Sequence, residues 1–249
     1  MIEQTQTFAD WLDIVFARAG QTATPQIRSR LLIFVQMLRE WNEQINLTRI
    51  TDDEGIAVRH ILDSLTLLPH LESVRLPITN GHPLRLIDIG SGAGLPGLVL
   101  KIIHPEWELV MLDALAKRLR FLDAVIQTLA LTGAATWHGR AEDGARQPEL
   151  REQFDVVTAR AVAPLAVLAE LCLPFVRVGG IFLAMKGDPD GEWPAAARSV
   201  KLLGGELERL DTFCLPGTEM RRAILCFRKL KTTPPSYPRQ AGRPEKQPL

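Results

Sequence analysis

The sequence predicts an α/β protein, with a doubly wound, mostly parallel sheet of seven strands, helices on both faces and a helical extension in front. Three observations predict it. From Leu84 onward, short β-rich runs alternate with helical segments, the pattern left by crossover connections in a parallel sheet. The glycine-rich run Asp88-Ile-Gly90-Ser-Gly92-Ala-Gly94-Leu-Pro-Gly97 stands between the first strand and the next helix, where glycine permits a sharp turn and close ligand approach. Before Leu84, apolar residues recur at helical spacing.

Phe8, Trp11, Leu12, Val15 and Phe16 make the first amphipathic helix, stopped by Gly20. Pro25 opens a second, whose stripe runs through Ile27, Leu31, Phe34, Val35, Leu38, Trp41 and Ile45 and is expected to fray at its last turn. Phe34, Met37 and Trp41 read as core packing against the sheet domain, not as a base-stacking platform. A third helix is expected from about Asp53 to Leu71.

The strands are expected at Leu84–Ile89, Glu108–Leu112, Ala134–Trp137, Phe154–Thr158 and Ile181–Met185. Beyond a helix at Glu192–Leu203, the runs Leu207–Phe213 and Arg222–Phe227 joined through Pro216-Gly217 read as a hairpin, which adds an antiparallel strand at one side. The expected organisation is a helical region over 1–80, a sheet domain over 81–230 with its boundary near Pro77 to Pro83, and a basic, proline-rich tail over 231–249. That tail is expected to be disordered.

Composition narrows the function classes. With 29 basic and 29 acidic residues among 249, the molecule as a whole is not an electrostatic sponge for nucleic acid, so any RNA contact must come from local patches. No apolar stretch approaches the roughly 20 residues of a membrane span, and the start carries Glu3, Asp10 and Asp13 instead of a signal peptide, so the cytoplasm is the expected compartment. Cys172, Cys214 and Cys226 stand far apart in apolar surroundings and read as buried thiols, with no metal site.

The glycine turn alone leaves its ligand open. Gly92-x-Gly94-x-x-Gly97 formally satisfies the dinucleotide fingerprint, and Asp113, at the end of the second strand, suits a ribose in either class. Asp88 favours S-adenosylmethionine, because a carboxylate just before the turn can meet an amino group but would face a pyrophosphate unfavourably. Arg140-Ala-Glu142-Asp143 after the third strand can present backbone and carboxylate to an adenine edge, or is simply a solvated loop.

With these pieces in order, the chain resembles the bacterial small-subunit ribosomal RNA guanine-N7 methyltransferase family, also called glucose-inhibited division protein B, over nearly its whole length short of the tail. The resemblance rests on Trp41-Asn-Glu-Gln-Ile-Asn-Leu-Thr48, Val58-Arg-His-Ile-Leu-Asp-Ser-Leu65, Asp88 to Gly97, Leu112-Asp-Ala-Leu-Ala-Lys-Arg118, Arg140-Ala-Glu142, Ala159-Arg-Ala161 and Met185-Lys-Gly187. It implies a class I S-adenosylmethionine-dependent methyltransferase, Rossmann-like in fold, acting on 16S ribosomal RNA or the small ribosomal subunit as a monomer. It further implies that Gly90, Gly92 and Leu95 wrap the methionine part, that Asp113 holds ribose, that Ala141 and Glu142 flank adenine, and that Arg160 lies at the cofactor. Lys117, Arg140 and Lys186 are then expected to approach RNA. Ala114 departs from the family pattern, which commonly has serine there.

Guanine N7 carries an exposed lone pair and no proton to lose, so transfer to it needs no general base. The region after the fourth strand, Thr158-Ala-Arg160-Ala-Val-Ala-Pro164, lacks the Asn/Asp-Pro-Pro-Tyr signature of exocyclic amino methylation, and no Pro-Cys supplies a nucleophile for cytosine C5. Arg160 is the candidate for positioning the substrate, since a guanidinium can hold a phosphate or a guanine edge; an internal salt bridge is its alternative. His60, with Arg59 and Asp63 nearby and Ser64 on the same helical face, reads either as a wall of the pocket or as a buried, hydrogen-bonded histidine. Lys117, Arg118 and Arg120, with Arg140 and Lys186, can form a basic rim; for the first three a solvated helix face is the alternative. A small-molecule methyltransferase with the N-terminal helices as a lid, a non-catalytic RNA-binding module and an NAD-dependent dehydrogenase are the competing functions.

Overall fold

The computed structural model describes residues 6–73, 81–160, 163–187 and 191–249. Most of the expected boundary between helical region and sheet, Pro77 to Pro83, lies outside them, as does Ala161.

Helix α1 (Phe8–Arg18) starts with a reciprocal cap, in which Thr7 Oγ1 accepts from Asp10 N and the Asp10 carboxylate accepts from Thr7 N at 2.9 Å. Pro25 stands in the first turn of α2 (Pro25–Ile45), capped by Thr24. Its last turn is closed by Asn46 in the left-handed region (φ 50°), a position asparagine tolerates.

The expected third helix is divided. It comprises α3 (Asp53–Ile56), a π-helical turn (Ala57–Leu62), α4 (Asp63–Leu65) and, after a break, α5 (Leu68–Ser73). The break follows from local bonding: Thr66 Oγ1 donates to the Asp63 carbonyl at 2.6 Å and Leu67 N to the Ser64 carbonyl at 3.2 Å, which tightens and ends the turn.

Seven strands follow: β1 (Arg85–Ile89), β2 (Glu108–Asp113), β3 (Ala134–His138), β4 (Phe154–Arg160), β5 (Val176–Lys186), β6 (Gly205–Cys214) and β7 (Arg221–Lys229). Their order is β3-β2-β1-β4-β5-β7-β6, with β7 antiparallel to both neighbours and the first five parallel. The connecting helices are α6 (Gly97–Ile103), α7 (Ala116–Thr128), α8 (Ala141–Gly144), α9 (Leu165–Cys172) and α10 (Glu192–Leu202). Strand β5 starts earlier than its Ile181 expectation, and its register against β4 shifts between Phe154 and Val156. A Cβ at Gly180 would lie 2.8 Å from the Asp155 carbonyl, so only glycine fits there.

Each face of the sheet carries its own core. On one, α1, α2, α6 and α7 pack with Leu86, Leu109 and Met111; the rings of Phe34 and Trp41 meet Phe121 with centroids 6.3 and 5.9 Å apart. The second helix therefore serves as core packing, as its stripe implies. On the other face α9 and α10 cover Ile87, Val157, Phe182 and Phe227. Among the described residues no helix is long and apolar enough to cross a membrane.

Two expectations require correction. Cys214 is exposed at the end of the edge strand, and only Cys172 and Cys226 are buried. Residues 231–249 are not loose: Arg151 donates to the carbonyls of Thr233 and Tyr237, both at 2.9 Å, and Arg239 makes three ion-paired side-chain hydrogen bonds to Glu170, a buried residue of α9. Composition suggested disorder because prolines and cations cannot build a core themselves, but here they satisfy a buried carboxylate that the domain supplies. The tail ends in a single turn, α11 (Arg243–Lys246).

Candidate cofactor cleft and its arginine wall

The strand order reverses between β1 and β4, and outside their carboxyl ends lies a cleft of about 880 Å³, in the size range of small-molecule sites. Gly90, Gly92, Leu95, Asp113, Ala141, Glu142 and Arg160, all expected at the cofactor, line it together.

The glycine turn hangs on β2, with Gly90 N and Ser91 N both donating to the Leu112 carbonyl, at 2.8 and 3.1 Å. Gly92 has φ +56°, and a Cβ added there would meet nothing nearer than the Gly90 carbonyl at 3.8 Å. Its glycine is thus required by the backbone and keeps the floor of the cleft clear for a ligand.

Asp88, expected to meet a ligand amino group, does not line the cleft. Its buried carboxylate points under the turn, accepting from Gly97 N at 3.1 Å and from Thr158 Oγ1 at 3.1 Å. Burial raises its pKa to about 7, against the lowering effect of those two hydrogen bonds. Asp88 fixes the turn from behind, tying β1, β4 and the start of α6 together.

Asp113 faces into the cleft. It accepts from Gly92 N at 3.0 Å, from Leu115 N at 2.9 Å and from Arg118 at 3.2 Å, and is nearly buried. Three donors leave a carboxylate with acceptor capacity to spare, which suits a ribose hydroxyl. Glu142, on α8, is equally buried, with Gly242 N donating to it at 2.8 Å and Arg140 Nε ion-paired to it 3.7 Å away.

The opposite wall comes from the N-terminal helices. Arg160, at the end of β4, donates to Asp63 at 3.1 Å and to the Arg59 carbonyl at 3.1 Å, while Arg222 donates to the second oxygen of Asp63 at 2.7 Å. One buried carboxylate therefore holds two guanidinium groups against the cleft. His60 Nε2 lies 2.8 Å from Thr48 Oγ1 and Nδ1 lies 3.1 Å from the Arg59 carbonyl, which together fit a neutral ring. Desolvation, reinforced by the nearby Arg160 charge, lowers its pKa to about 4. Both readings of His60 hold, since it is buried and also lines the cleft.

Of the residues expected to face RNA, Arg140 and Lys186 line the cleft and both are ion-paired, Arg140 to Glu245 at 3.3 Å and Lys186 to Glu192 at 2.9 Å. Lys117 is exposed on α7 and does not line the cleft. Sequence reasoning missed Thr48, Arg222 and Glu245. For Arg222 part of a signal existed: the first residues of an antiparallel strand lie at the rim where parallel strands end, but the hairpin expectation left open which of its strands pairs with the parallel ones, and that strand is β7.

Comparison with known proteins identifies the family. Residues 27–220 match the model of the GidB family, rRNA small subunit methyltransferase G. The ribosomal RNA small subunit methyltransferase G of Acetivibrio thermocellus is 42% identical over 220 residues, covering 88% of each chain. The protein of that name from Desulfitobacterium hafniense is 46% identical over 218 residues, 87% of each. Among solved structures, a putative sarcosine dimethylglycine methyltransferase from Galdieria sulphuraria superposes with a TM-score of 0.54 at 9% identity, over 79% of this chain and 99% of that one, a likeness of fold alone.

Proposed function

The chain belongs to the rRNA small subunit methyltransferase G (GidB) family, and from that premise we propose that it transfers a methyl group from S-adenosylmethionine to N7 of a guanine in 16S ribosomal RNA. The observation that carries this reading is a single cleft in which the glycine turn and two buried carboxylates face a wall of paired arginines.

The residues fit the cofactor. Gly90 and Gly92 leave backbone and open space for the methionine part, Asp113 offers acceptors for ribose, and Ala141 and Glu142 form the far end suited to adenine. The bound cofactor supplies an electrophilic methyl on a sulfonium. What the protein contributes is position, since in-line transfer needs donor and acceptor about 3 Å apart and aligned. Arg160 and Arg222, held by Asp63, are suited to take the phosphate or the O6 edge of a guanine whose N7 faces the methyl group.

No proton has to be removed from N7, so this reading requires no general base. Asp63, Asp113 and Glu142 are each held by hydrogen-bond donors of the protein, and His60 is engaged with Thr48. We assign the protein to the cytoplasm, acting as a monomer, with Arg140, Lys186 and the outlying Lys117 as its phosphate contacts. Tritiated S-adenosylmethionine offered with 16S RNA and with small subunits lacking the native methyl tests the reading. Label in RNA is expected; label only in small molecules of a cell extract would move the protein to the small-molecule class.

A further inference from the structure

The last eight residues reach back to the adenosine end of the cleft. Gly242 N donates to Glu142 Oε1 at 2.8 Å, and Glu245 pairs with Arg140 at 3.3 Å while itself lining the cleft. Glu142 is 2% exposed, so without the Gly242 donor its carboxylate would keep, among the described residues, only Arg140, at 3.7 Å and half in solvent. The segment is held independently of the cleft, because Arg239 anchors it to the fully buried Glu170 through three side-chain hydrogen bonds of 2.6 to 3.1 Å. Gly242 has φ +79°, a left-handed conformation that a side chain would strain.

We propose that the carboxyl-terminal segment is part of the cofactor site, with Gly242 as the positioning residue that orients Glu142 for the adenosine half of the ligand. This rests on the reading above that Glu142 flanks adenine. A buried carboxylate fixed in one orientation can accept from the ligand without reorganising, and a charge-assisted bond of this kind supports affinity beyond its own geometry. The tail acts through Glu142, so its contribution belongs to the adenosine moiety and not to the methionine moiety.

The test uses a chain ending at Ala241, which keeps the Arg239 anchor, and Gly242→Pro in the full chain, which removes the donor and the left-handed conformation together. Affinities for S-adenosylmethionine and for 5′-methylthioadenosine are measured by calorimetry in each, alone and combined with Glu142→Gln. Both ligands are expected to weaken by the same factor, about tenfold, and that loss should vanish in the Glu142→Gln background. Unchanged affinity in both tail variants, with Glu142→Gln itself weakened, overturns the proposal and leaves the adenine assignment standing. A loss confined to S-adenosylmethionine also overturns it. If Glu142→Gln alone leaves both affinities intact, the adenine assignment fails and the proposal with it. Should the shortened chain not fold, Gly242→Pro carries the same comparisons.

Discussion

Asp63 and Arg160 lie 3.1 Å apart across the cleft-facing seam between the N-terminal helices and the end of β4, and this pair joins the two parts of the molecule at its site. The same carboxylate takes Arg222 from β7, so three elements converge on one buried charge. Breaking such a cluster from its centre leaves two cations facing each other. Asp63→Ala is expected to destabilise by about 2–3 kcal/mol in urea unfolding, less than for a fully buried pair because both guanidinium groups keep some solvent. An unchanged midpoint would show that the arginines find other partners.

Arg160→Lys separates charge from shape. Lysine keeps the cation but cannot offer two parallel donors, so methyl transfer to RNA should fall by about tenfold or more while cofactor affinity in calorimetry changes by about twofold at most. Equal losses in both would place Arg160 in cofactor binding alone.

Asp113 joins the glycine turn to the start of the loop before α7 and lines the cleft. Asp113→Ala should weaken S-adenosylmethionine by roughly two orders of magnitude, the value of one or two hydrogen bonds to a charged group. Circular dichroism that stays native with an unchanged Kd would contradict the ribose assignment.

The buried acid behind the turn makes a prediction about pH. Asp88 holds its proton to about pH 7 in the folded protein but only to about 4 when unfolded. Between those values the native state binds the extra proton, so this group's contribution is most favourable below pH 4 and declines as pH rises to 7. His60 runs the other way: with a folded pKa of about 4, its contribution is present above 6.5 and is lost as pH falls toward 4. Replacing Asp88 by Asn removes only the first effect. The stability of the parent relative to Asp88→Asn should therefore fall by about 2–4 kcal/mol from pH 4 to pH 7, and a flat difference would mean that Asp88 is ionised throughout.

His60 offers a direct spectroscopic check. Its ring resonances should titrate near pH 4, leaving it neutral where the enzyme works. A midpoint near 6.5 would place the ring in solvent and remove it from the wall of the cleft.

Much of this was legible in the sequence because local chemistry and tertiary structure agree. The strand–helix alternation from Leu84 marks the five parallel strands, the run around Pro216-Gly217 marks the last two as a hairpin, and the glycine run marks the turn. The orientation of Asp88 was not legible, because residue type and position are the same whether a carboxylate faces a ligand or the Gly97 N–H behind the turn. The tail was misread for a related reason: its anchor, Glu170, lies 69 residues before Arg239, and composition cannot see a partner at that distance. Arg222 and Glu245 likewise reach the cleft only through strand order and chain return.

The central claim is met most directly by mapping the methyl group. Small subunits lacking the native modification are incubated with the protein and S-adenosylmethionine, and the extracted 16S RNA is treated with borohydride and aniline, which cleave at N7-methylguanosine. One new, strong cleavage at a single guanine, weakened by about tenfold or more with Arg160→Lys at matched time, is the predicted result. Methyl label in the RNA with no cleavage would contradict N7 as the acceptor, and no label in RNA or subunits would contradict the assignment as a whole.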